Sequence, residues 1–295
     1  MSTQDLHITN TAPSKVRDSN LELYRILVMF MIVMHHYVVN SGLMPLMGED
    51  PLSPKSLFFY LFGMWGKTGI NCFVLITGYY MCKSKISLRK FLKLLLEVET
   101  YEILIYIVFA IFGPNGFSIK EFAWYSLPVR VISTASFTDC YLVFFLFIPF
   151  LNILIGHLDK RNHVLLILLA LAVYSIIGKN PISPMSMNYV SWFCVIYLIG
   201  SYLRLYPYLD RNLFFWRKSM LLAISISCVC VLGTIFFVSR FTLATSRDVV
   251  YYFVEDSNAL LAVFVSVCVF MFFKNIHIKQ NKLINTVGGV LLLYC

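Results

Sequence analysis

Two adjacent histidines, His35 and His36, close an apolar run that an arginine opens: RILVMFMIVMHHY, from Arg25 to Tyr37. A helix turns about 100° and rises about 1.5 Å per residue, so Arg25 and His36 differ by about 20° in azimuth and about 16 Å along the axis. Glu22 and Asn40 fall about 60° from Arg25 on the same side, whereas His35 falls about 80° away in the other direction. The result is a polar wedge on an otherwise apolar helix. Imidazole titrates near neutral pH and can take and return a proton, and a guanidinium grips phosphate or carboxylate oxygens through paired N–H groups. One reading is therefore a base near one end of the helix and an anion anchor near the other. The second is that Arg25 snorkels to headgroups with Glu22 as its i,i+3 partner while the histidines hydrogen-bond at the opposite interface. A charge at the centre of a bilayer costs at least about 2.5 to 3.5 kcal/mol, so ionisable groups in a span face the bundle interior or water.

Two further stretches carry charge where apolar residues are the rule. In GMWGKTGINCFVLITGYYM, Lys67 and Asn71 are i,i+4 neighbours, and Gly63, Gly66, Gly69 and Gly78 let another helix or a ligand approach closely. KSKISLRKFLK follows at once, with Arg89, Lys90 and Lys93. It reads either as an ordinary topology signal in contact with lipid headgroups or as a seat for an anion at the opening of a helix.

The elements that must position these groups follow from composition. The chain of 295 residues is 59% hydrophobic with a mean hydropathy of +0.76, and only 13% of it is charged, against about 25% in soluble domains. The predicted fold class is all-α, a polytopic transmembrane helical bundle. Spans are expected near Leu21–Val39, Leu57–Met81, Leu94–Phe112, Cys140–Leu158, Val164–Gly178, Tyr189–Leu205, Ser219–Ser239 and Ser257–Phe273. A ninth, Leu283–Cys295, is cut short. Residues 1–20 read as a polar cytoplasmic tail without the apolar core of a signal peptide, and residues 21–295 as one transmembrane domain. With the N-terminus inside, sixteen Lys and Arg fall on cytoplasmic segments and six outside, leaving Arg25 and Lys67 within spans. The connections Gly113–Asp139 and Arg240–Asp256 carry Phe117, Phe122, Trp124, Tyr251 and Tyr252 and are expected to lie against the bundle or the interface. The net charge of +9 is spread over many loops, which excludes a nucleic-acid role. The eight cysteines lack metal-like CxxC spacing, so they are expected as small apolar packing residues and no metal site is expected.

The pattern as a whole resembles the acyltransferase-3 family of integral membrane acyltransferases. LELYRILVMFMIVMHHY is similar to the family's opening helix, in which an arginine precedes a histidine by eleven positions. GINCFVLITGYYM resembles its second-helix motif and LRKFLK its basic motif, and CYLVFFLFIPFLN and VIYLIGSYLRLY resemble later segments. The resemblance implies about ten helices in a bacterial plasma membrane and transfer of an acyl group, usually acetyl from cytoplasmic acetyl-CoA, to a hydroxyl of a cell-surface or lipid-linked saccharide. Acetyl-CoA is then a donor substrate, with no permanently bound cofactor. His36 corresponds to the catalytic histidine, with His35 beside it to orient or assist. Arg25 corresponds to the essential arginine, and Arg89, Lys90 and Lys93 to the basic cluster for the donor. Family members continue past a G-x-Y-L-x-H segment into another helix. Here GGVLLLYC stops with Tyr294 where that histidine stands, which reads as a chain truncated at its C-terminal end. A saccharide-lipid transporter using the same buried charges is the rival from another class.

Overall fold

The computed structural model describes residues 18–113, 116–127, 136–179, 187–207, 212–241 and 247–291. Most of the expected N-terminal tail, and Tyr294 with the end of the ninth expected span, lie outside them. In chain order the elements are α1 (Ser19–Asn40), α2 (Leu43–Glu49), α3 (Pro54–Gly63), α4 (Gly66–Met81), α5 (Leu88–Phe112), α6 (Ile119–Tyr125) and α7 (Phe137–His157). Then follow α8 (Lys160–Leu171), which continues as a π-helical turn over Ala172–Ile177, α9 (Tyr189–Leu205), α10 (Leu213–Arg240), α11 (Arg247–Val250), α12 (Leu260–Asn275) and α13 (Lys282–Leu291).

Short polar residues start these helices by capping amides that have no partner inside the helix. Ser53 accepts from the Ser56 amide with Pro54 in the first turn, Asp159 from Asn162, and Asn212 from Phe215. Ser136 and Asp139 form a reciprocal capping box on α7. Five helical stretches are long and apolar enough to cross a membrane: Ser19–Asn40, Pro54–Met81, Phe137–His157, Lys160–Ile177 and Leu213–Arg240. Tyr189–Leu205 and Leu260–Asn275 are shorter apolar helices. Large side chains such as Phe30, Phe109, Phe150, Val229 and Phe236 stand exposed on the bundle's outside, as lipid contact requires.

The helix α4 runs through the middle. Every residue from Asn71 to Tyr79 is buried, and α4 packs on α1, α9 and α12 around a core that includes Tyr24, Phe144, Trp192, Phe193, Tyr197 and Phe270. The glycines serve helix packing. Gly63, Gly66 and Gly69 press on Val38, His35 and Ile32 of α1, while Gly78 faces the backbone of Tyr197 and Gly200 on α9. A Cβ on Gly78 would stand 2.7 Å from the Tyr197 carbonyl oxygen, and one on Gly200 2.6 Å from that of Leu75. Backbone cannot yield as a side chain can, so Gly78→Ala and Gly200→Ala are each expected to cost about 1–3 kcal/mol of stability. Gly233→Ala, on α10 with open space around it, should leave the melting temperature in detergent unlowered.

The predicted second span differs in one respect: it is two helices, α3 and α4, interrupted at Met64–Trp65. Close packing of Gly63 and Gly66 on α1 brackets that break. The connections do lie against the bundle where they are described. Tyr106 of α5 donates to the Ser118 carbonyl and accepts from its amide, both at 2.8 Å, which ties α6 to α5. Tyr251, buried, donates to the Tyr60 carbonyl at 3.0 Å.

Candidate functional site

At one end of the bundle, helices α1, α4, α5 and α7 enclose a cavity of about 290 Å³. Arg25 reaches it from α1, Thr77 and Tyr80 from α4, Lys90, Lys93 and Glu97 from α5, and Tyr141 from α7. Arg25 does not snorkel away as an isolated cation. Its Nη1 donates to Glu22 Oε1 at 2.6 Å, and the two side chains are only 12% and 5% exposed. The guanidinium carbon lies 5.9 Å from the centroid of the Tyr80 ring. Arg25 Nε and Glu22 Oε2 are buried and have no partner among the described residues. Glu22 thus neutralises the arginine within α1 while leaving an N–H to offer a ligand. Behind the pair, Gly288 of α13 packs so closely that a Cβ there would collide with Glu22, and Ser19 donates to Asn285 at 2.8 Å.

The three expected basic residues on α5 are all exposed; Lys90 and Lys93 line the cavity and Arg89 does not, and Lys90 Nζ also donates to the Lys85 carbonyl at 2.7 Å. Helical geometry accounts for this. Lys90, Lys93, Leu94 and Glu97 follow the i, i+3, i+4, i+7 spacing of one face, and Arg89 sits about 90° from its middle. That spacing is legible in the sequence. Glu97 forms an ion pair with Lys93 at 3.5 Å, one turn on, and the hydroxyls of Thr77 and Tyr141 meet at 2.9 Å in the cavity wall. Sequence reasoning missed Thr77, Tyr80, Glu97 and Tyr141, because only the tertiary fold brings them beside Arg25. It also missed Arg204, which donates to the Tyr79 hydroxyl at 2.9 Å and lies 4.8 Å from that ring, next to Lys274 at 5.5 Å.

His35 and His36 stand at the other end of α1 and are not part of the cavity wall. Their rings are 5.7 Å apart, edge to face, and their surroundings differ sharply. His35 is buried, its ring covering Gly66, with Nδ1 2.7 Å from the Gly63 carbonyl oxygen at the α3–α4 break. A carbonyl only accepts, so Nδ1 carries the proton and His35 acts as a clasp between α1 and α3. His36 is exposed, and Asn40 Nδ2 lies 3.1 Å from its Nδ1. With that amide turned over, Oδ1 accepts from Nδ1–H, which steadies the ring and leaves Nε2 free to take a proton.

Across from the histidines, Lys67 and Asn71 are not partners of one another. Lys67 Nζ donates to the Tyr189 hydroxyl at 2.5 Å. Asn71 is buried, donating to the Ser257 carbonyl at 2.6 Å and accepting from the Trp192 indole at 2.9 Å.

The arrangement places a cavity lined by Arg25, Lys90, Lys93 and Glu97 at one end of α1 and an exposed imidazole at the other, on one azimuth of the same helix. A family model described as "Acyltransferase domain" matches residues 18–293. No curated protein and no solved structure matches the chain.

Proposed function

This chain belongs to the acyltransferase domain family, which it matches over nearly its whole length, and from that premise we propose that it transfers an acetyl group from acetyl-CoA to a saccharide hydroxyl. The observation that carries the reading is the joining of Arg25, Lys90 and Lys93 in one cavity, in line along α1 with His36. Phosphates are held by guanidinium and ammonium groups, and a partly buried pocket strengthens that attraction. In this reading the cavity opens to the cytoplasm and takes the phosphorylated part of the donor. The remaining apolar helices complete a bundle of nine to ten spans, and His36 lies toward the outer face, where lipid-linked or surface glycan is found.

A thioester is activated, but an alcohol is a weak nucleophile until a base removes its proton. The acceptor oxygen attacks the thioester carbonyl carbon as His36 takes the hydroxyl proton. The tetrahedral intermediate then collapses, the C–S bond breaks, and the leaving CoA thiolate is protonated by the imidazolium. Arg25 fixes the distant end of the donor, which converts binding energy into orientation of the thioester.

The test is transfer of label from radiolabelled acetyl-CoA to glycan in membranes containing this chain. Glycan-bound, base-labile label supports the reading, and its absence in membranes with correctly inserted protein would overturn it. The cavity makes a finer prediction. Lys90→Gln with Lys93→Gln should raise the donor KM roughly tenfold, while Arg89→Gln should leave it unchanged once insertion topology is verified.

A further inference from the structure

Lys67 carries a charge that the reaction described above does not use. It lies in the first turn of α4, immediately after the glycine that packs under the His35 ring. It is half-buried and forms no ion pair among the described residues. A charge in such a place is costly unless something offsets it. Its Nζ donates to Tyr189 on α9 and lies 5.1 Å from that ring's centroid, which holds the ammonium in place while leaving two of its three N–H groups to offer. Tyr189 is itself set by α9, whose Trp192 is tied through Asn71 to the backbone at Ser257. His35, clasped to Gly63, fixes the register between α1 and the start of α4. The same start also presents the positive end of the α4 dipole toward the histidine pair.

We propose that Lys67 is a catalytic residue of the transfer step, its ammonium stabilising the oxyanion that forms beside His36, with Tyr189 as the positioning residue. The inference rests on the acetyl-transfer reading and names a group which that reading leaves out. When the acceptor oxygen bonds to the thioester carbon, the carbonyl π pair moves onto oxygen. An N–H of Lys67 donates to that oxyanion while His36 takes the hydroxyl proton. As the C–S bond breaks, the pair returns to form the ester carbonyl and the thiolate leaves with the proton. Lys67 keeps its own proton throughout. A cation fixed before the reaction stabilises the transition state more than the ground state, so it acts on kcat rather than on donor binding.

The experiment measures label transfer from acetyl-CoA to glycan by membranes carrying the full chain, with kcat and donor KM resolved, for the unaltered protein, Lys67→Met, Lys67→Arg and Tyr189→Phe. Lys67→Met is expected to lower kcat on the order of 10²–10³-fold, with donor KM within about twofold. Lys67→Arg, which retains charge and donors, should recover part of the loss, and Tyr189→Phe should lower kcat alone. Unchanged kcat in Lys67→Met, or a loss expressed only in KM for the donor or the glycan, would overturn the proposal. Should Lys67→Met fail to insert, Tyr189→Phe decides by the same split of kcat against KM. No transfer by the unaltered chain would overturn the acetyl-transfer reading and this inference with it, whereas transfer insensitive to Lys67 would remove this inference alone.

Discussion

His36→Ala reduces label transfer from acetyl-CoA to background, a fall on the order of 10²–10⁴-fold, while membrane insertion and melting temperature stay at wild-type values: this is the expected result. The ring is exposed and contacts only Asn40 and the neighbouring His35 among the interactions described. Its removal therefore opens no core cavity and strands no buried donor, so lost transfer would report lost chemistry. His35→Ala is the necessary contrast. That ring is buried on Gly66 and bonded to the Gly63 carbonyl, and deleting it leaves the carbonyl unpartnered at the α3–α4 break. A stability loss of about 1–3 kcal/mol is expected there. Transfer that survives His36→Ala would remove the base assigned here.

Arg25→Ala is expected to have the second large effect, in two separable parts. The first is structural. Glu22 is 5% exposed and forms its ion pair with Arg25, so truncating the arginine leaves a buried carboxylate uncompensated, at roughly 3–5 kcal/mol. The second is functional, because the guanidinium also lines the cavity assigned to the donor. Pairing the change with Glu22→Gln separates the two. The double variant should regain most of the lost melting temperature, since the stranded charge is gone. It should still lack the protection that acetyl-CoA gives the unaltered protein against thermal unfolding. Return of that protection in the double variant would reduce Arg25 to a structural partner of Glu22 and take it out of the donor site.

Both expectations draw on features of different legibility. The alignment of Arg25 with His36 follows from helical arithmetic once the run between them is read as a helix, and α1 spans both. The i,i+3 pairing of Glu22 with Arg25 was equally open to reading, and it forms. What one-dimensional reading left undecided was the use of that pair. Snorkelling to headgroups and service in an interior cavity need the same residues at the same spacing. The fold supports the second use, because Thr77, Tyr80, Lys90 and Tyr141 line a cavity with the arginine from three other helices. The two histidines were legible as distinct in azimuth. Their division into a buried clasp and an exposed base candidate depended on where α3 stops, and the flanking Gly63 and Gly66 read equally well as helix-packing positions and as a break.

The sequence by itself determined that the chain folds as helices in a membrane, where most of those helices lie, and which family pattern its polar residues follow. Those properties rest on composition, on apolar run length and on fixed helical periodicity, all of them local. That Lys90 and Lys93 share a face which Arg89 leaves was in the spacing, and only the tertiary structure decided that this face meets the cavity with Arg25. It alone paired Lys67 with Tyr189 across 122 positions of chain, and Arg204 with Tyr79 across 125. The reason is physical: which face of a helix is interior depends on the neighbours packed against it. In this bundle glycine contacts help set the neighbours, Gly78 on the Tyr197 backbone and Gly66 on the His35 side chain, and no single segment contains both sides of such a contact.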